Sequence, residues 1–94
     1  MHSHLAKMLG QYIYDARTKK GILQRDLAEQ IGMSAQFLGR IEKGEVMIPE
    51  PALKKAIGYL SLSENKIVSI YRAAAGISAQ DLFKDKNKRK RKRA

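Results

Sequence analysis

The chain has 94 residues and no cysteine, which excludes a disulfide framework and any thiolate metal site. Its 19 Lys/Arg against 9 Asp/Glu leave a formal net charge of +10, and no apolar run approaches the roughly 20 residues of a membrane span. One small domain with a modest core fits these bounds. The opening MHSHLAKML lacks the basic region and apolar stretch of a secretion signal, so a reducing cytoplasm is the expected compartment.

Leu5, Met8, Leu9, Tyr12, Ile13 and Ala16 recur at three- and four-residue spacing. They predict an amphipathic helix from about His4 to Lys20. Lys19 and Lys20 suit the negative end of its dipole, and Gly21 stops it. His2 and His4 stand near the start without a carboxylate or thiolate cluster beside them, so no metal is expected there.

The stretch Gln24 to Gly44, QRDLAEQIGMSAQFLGRIEKG, is the most informative in the chain. Ala28 lies four residues after Gln24, Gly32 eight, Leu38 fourteen and Ile41 seventeen. This reads as two short helices joined by a tight turn. The first runs from Gln24 to Ile31 with Leu27, Ala28 and Ile31 inward. Gly32 takes the left-handed turn. Ser34 caps the second helix, which runs to about Glu42 with Leu38 and Ile41 inward, and Gly44 ends it.

Pro49 and Pro51 frame the next helix start, because a first helical turn tolerates proline. Leu53, Ala56, Ile57 and Leu60 make its inner stripe. A fifth helix starts near Ser63, with Ile67, Val68, Tyr71, Ala74 and Ala75 as its apolar side and Gly76 at its end. Ser78 with Asp81 forms a capping box for a short last turn carrying Leu82 and Phe83. No period-two pattern or internal repeat stands out. The expected fold is all-α: a compact five-helix domain over residues 1–83. Residues 84–94, KDKNKRKRKRA, hold eight Lys/Arg and one Asp, a net +7 of the chain's +10. Such a block cannot pack and is expected to be disordered when free.

Read together, Leu9-Gly10, Ile13, Arg17, Gly21, Gln24, Leu27-Ala28, Gly32, Ser34, Leu38, Ile41-Glu42, Gly44 and Pro49 resemble the phage-repressor (Xre/Cro-like) helix-turn-helix family. The run Leu53 to Leu62 continues the pattern, so the resemblance covers roughly Leu5 to Gly76. It implies a repressor-like DNA-binding domain whose third helix enters the major groove. It implies that Arg17 and Glu42 form a partly buried ion pair between helix one and the end of helix three. The competing reading makes Arg17 a phosphate ligand. The resemblance also makes Gln24 a backbone-phosphate ligand, with Arg25 a possible second, and Lys43 the other clamp.

The exposed start of helix three is the expected reading head: Ser34, Ala35, Gln36 and Phe37, with Gly39, Arg40 and Lys43 further along. Gln36 can pair bidentately with adenine and Arg40 with guanine; the alternative is a merely solvated Gln36 and an Arg40 that only holds a phosphate. Ala35 and Phe37 suit thymine methyl groups. Three departures weaken the pattern. Leu23 stands where the family has a capping Ser, Thr or Asn. Gly39 sits inside a helix. The loop Glu45 to Glu50 has two acids and no base.

Tail residues Lys88, Arg89, Lys90, Arg91, Lys92 and Arg93 can neutralise phosphates with little sequence preference. Alternatives for the tail are a solvated solubility tag, an RNA contact, an acidic membrane surface, or a nuclear localisation signal in a eukaryotic host. Its lack of aromatics argues against single-strand stacking. No Ser/His/Asp set, Gly-rich phosphate loop or paired carboxylates stands out, so neither catalysis, a cofactor nor a small-molecule substrate is expected.

The resemblance implies a sequence-specific double-stranded DNA-binding regulator, a repressor acting as a homodimer on a palindrome and associated with the nucleoid. Helix five with Ile70, Ile77, Leu82 and Phe83 is the expected dimer surface. The rivals are an antitoxin or coactivator that binds a protein partner, and a nucleoid protein dominated by its tail.

Overall fold

The computed structural model describes residues 3–76, which form five helices. They are α1 (Ser3–Lys19), α2 (Gln24–Gln30), α3 (Ala35–Glu42), α4 (Glu50–Leu60) and α5 (Glu64–Ala74). The described residues contain no strand. Expectations for His2, Ile77, the Ser78–Asp81 capping box, Leu82, Phe83, the boundary at residue 83 and the basic tail all lie outside the described residues.

The core follows the helical spacing. Leu9 and Ile13 of α1 meet Leu27 and Ala28 of α2, Leu38 and Ile41 of α3, and Leu53, Ala56 and Leu60 of α4, all buried in one cluster. Helix α1 packs on α3 and α5, and α2 packs on α3 and α4. The helix ends obey local chemistry. Ser34 and Ser63 accept from the backbone N–H of Phe37 and Lys66, each at 3.1 Å. Leu23 supplies no side-chain cap to α2. At the turn between α2 and α3, Gly32 has φ +78°, and the N–H of Met33 closes on the carbonyl of Ala28 at 2.9 Å. An L-residue there would carry a Cβ against its own backbone.

Helix α5 departs from expectation. Ile67 and Ile70 are its buried residues, whereas Val68, Tyr71 and Ala75 are exposed. Ile70 is therefore part of the core and unavailable as surplus apolar surface. Both stripes have helical spacing. The docking of α5 on α1 selects the 67/70 stripe, and the Tyr12 hydroxyl accepts from the backbone N–H of Ser63 at 3.0 Å to hold the start of α5 in place.

Gly10 sets the crossing of α1 and α3. A Cβ at Gly10 would overlap the backbone carbonyl oxygen of Ile41, a group that cannot swing aside. Gly10→Ala is expected to destabilise by about 1–3 kcal/mol, as overpacking does. That loss stands against the roughly 1 kcal/mol that Ala gains over Gly inside a helix. At Gly58 in α4 an added Cβ meets nothing within 4 Å. Gly58→Ala should therefore stabilise by about 0.5–1 kcal/mol. Urea midpoints of the two variants should move in opposite directions, and equal shifts would show that Gly10 is not a close-approach position.

Candidate nucleic-acid interface

Helix α3 advances about 100° per residue, so positions 36, 40 and 43 fall within about 60° of one another. Leu38 and Ile41 point the opposite way and are buried. Gln36, Arg40 and Lys43 consequently form one exposed stripe along the outer face. Ala35 and Phe37 flank it and are half-buried against the core cluster. They do not face freely outward as the sequence reading expected, and each offers only an edge to a partner. Ser34 is exposed, but its oxygen is engaged by the Phe37 N–H as the cap.

Arg40 donates its Nε–H to Glu45 Oε1 at 3.3 Å. Both side chains are more than half exposed, so the pair is worth at most about 1 kcal/mol. It uses one of the five N–H donors of the guanidinium. The acidic loop after α3 thus serves an arginine of the reading stripe.

Behind the stripe lies a buried polar network. Glu42 accepts from Arg17 Nε at 2.7 Å and from Arg17 Nη2 at 3.1 Å, a bidentate pair with side chains only 4% and 10% exposed. Arg17 Nη1 donates to the carbonyl of Ile22 at 2.8 Å, and the guanidinium lies 5.4 Å from the centre of the Tyr14 ring. With each of its three guanidinium nitrogens bonded inside, Arg17 ties α1 to α3 and to the turn before α2, and does not point outward as a phosphate ligand.

Gln24 completes the network. Its Nε2 donates to Glu42 Oε1 at 3.0 Å. The side chain lies beside Gly39, where a Cβ would stand 3.4 Å from Nε2. An amide carries two hydrogens, so one N–H of Gln24 remains for an outside acceptor while the other holds the side chain in place. A Cβ at Gly39 would make only ordinary contact with the Gln24 amide, so the packing does not by itself require a glycine inside this helix. Arg25 is far more exposed, with Nε 4.0 Å from Asp26. Sequence reasoning did not find the Gln24–Glu42 bond or the Arg40–Glu45 pair. Helical spacing does not report contacts between different elements, and nothing in the local pattern marks either one.

A short helix braced by two others, with an outward polar stripe and a backing network, defines a helix-turn-helix DNA-binding domain. The helix-turn-helix family model HTH_3 matches residues 13–67. The chain belongs to this family of DNA-binding transcription regulators. Among solved structures, it is similar to that of the clp gene regulator ClgR from Corynebacterium glutamicum. The two share 26% identity with a TM-score of 0.62, over 90% of this chain and 87% of that one. A comparison with curated proteins finds no match.

Proposed function

We propose that the protein is a sequence-specific regulator of transcription that binds double-stranded DNA as a homodimer and acts as a repressor in the cytoplasm, on the nucleoid. The exposed stripe Gln36, Arg40 and Lys43 on a helix whose inner face is fully packed carries this reading. Gln36 and Arg40 meet base edges with Ser34, Ala35 and Phe37 beside them. Lys43, Gln24 and Arg25 meet phosphate, joined by the tail residues Lys88 to Arg93. Rigid backing matters, because base-edge hydrogen bonds discriminate only when the donors cannot relax toward a wrong base.

The outer face of α5, with Val68 46% and Tyr71 40% exposed, is the surface proposed for dimer contact. The similarity to a gene regulator supports the regulatory role. Selection of bound sites from a random duplex library, with full-length protein at near-physiological salt, tests the reading. A palindromic motif is the expected result. Gln36→Ala should then relax one base pair in each half-site by about 1–3 kcal/mol while leaving the other positions sharp. Tight binding without a motif would replace this proposal with a general DNA coater. No binding would favour a role in holding a protein partner.

A further inference from the structure

A groove of about 460 Å³ runs between α1 and α3. Lys7, Gln11 and Tyr14 form its α1 wall, and Gln24, Gly39 and Lys43 its other wall and mouth. Both residues already assigned to phosphate at the two ends of the helix-turn-helix, Gln24 and Lys43, therefore open onto one groove. The α1 wall opposite them has no part in the proposed function.

Three observations give that wall a purpose. First, Lys7 is placed by packing. The turn after α3 is pressed against it, so a Cβ on Gly44 (φ +79°) would come within 2.7 Å of the Lys7 Cα. The Lys7 stem thus lies along the Gly44 backbone, on the same side as the Lys43 charge. Secondly, the lining of the groove carries two cations, Lys7 and Lys43, against one acid. Its one acid, Glu42, is neutralised from within by Arg17 and held by Gln24. Asp15, the one acid of α1, accepts from Gln11 Nε2 at 2.9 Å and keeps its charge, but does not line the groove. Thirdly, Tyr14 is 43% exposed with its ring braced by the Arg17 guanidinium, and its hydroxyl is a further donor.

We infer that this groove holds a phosphodiester segment of the DNA backbone, with Lys7 as its principal unassigned ligand. Helix α1 thereby becomes a second wall of the protein–DNA contact as well as a structural brace. The inference rests on the proposed DNA-binding function and adds a site to it. Because phosphate carries no sequence information, Lys7 contributes affinity and salt dependence and leaves base preference untouched.

The test uses full-length protein, a duplex carrying its selected site and a scrambled duplex. Lys7→Gln keeps the aliphatic stem that lies on Gly44 and removes the charge. Lys20→Gln, in the turn just beyond the opposite end of α1, is the matched control. The expected result for Lys7→Gln is a salt slope shallower by about 0.9 and roughly fivefold weaker binding at 0.15 M salt, equal on both duplexes. Phosphate-ethylation interference on wild-type protein should show one blocked position that disappears in Lys7→Gln. An unchanged slope and interference pattern in Lys7→Gln would overturn the inference, as would an equal loss in Lys20→Gln. A wild-type protein that binds neither duplex would instead remove the proposed function. A thermal melt of each variant separates lost contact from lost folding.

Discussion

Glu42→Ala is expected to remove about 3–5 kcal/mol of folding stability, the cost of leaving a buried charge without its partner. Domains of this kind hold about 5–15 kcal/mol in total, so the variant would be near the edge of folding. Arg17 would lose both carboxylate bonds, and Gln24 would lose the acceptor that places it. Arg17→Met should cost a similar amount, since Glu42 would keep only the Gln24 amide.

The double variant Arg17→Met/Glu42→Leu separates stability from function. Replacing both members of a buried pair by apolar groups is often neutral or stabilising. The double variant should therefore recover most of the loss, and a coupling energy above about 2 kcal/mol should emerge from the cycle. DNA affinity should not recover with it, because Gln24 is then free to leave the side of Gly39. Urea unfolding of the four proteins, with DNA titrations alongside, gives both numbers. Single variants that each cost under about 1 kcal/mol would show that the pair is solvated and the network incidental.

Removal of residues 84–94 should have the largest effect on DNA binding. The segment carries eight Lys/Arg and one Asp, and each phosphate neutralised contributes about −0.9 to the logarithmic salt slope. If most of these charges engage the backbone, truncation should flatten the slope by several units and weaken binding at least a hundredfold at physiological salt. The preferred site should survive, because the stripe on α3 reads it. Retained site preference with lost affinity identifies the tail as an electrostatic arm. Complete loss of binding would make the tail the main DNA-binding element and the domain its accessory. Unchanged affinity and slope would reduce the tail to a solubility element.

Local chemistry made much of this molecule readable before any coordinates. Leu9, Ile13, Leu27, Leu38, Ile41, Leu53 and Leu60 stand at helical spacing, and burial of one stripe per helix is the only arrangement that removes them from water. Ser34 and Ser63 mark helix starts because a hydroxyl can satisfy a free N–H within its own turn. Gly32 and Gly44 mark turns because their backbone must adopt positive φ. Each of these constraints acts within a few residues, so the amino-acid sequence by itself determined the helices, their turns and the small residues between them.

Tertiary structure decided what depends on distance between elements. Helix α5 has two apolar stripes of helical spacing, and only docking on α1 buries Ile67 and Ile70 and leaves Val68 and Tyr71 outside. Gly10 looks like an ordinary helix interruption until the carbonyl of Ile41 is found against it. Gln24 is drawn to Glu42, eighteen residues away, and Lys7 is set beside Lys43 by the turn at Gly44. Ala35 and Phe37 are partly buried against the core although their helix positions suggest an open face. The physical reason is common to all of these. Helical period determines which residues share a side of one element, whereas polar partners and close approaches arise only when the packed core brings two elements together.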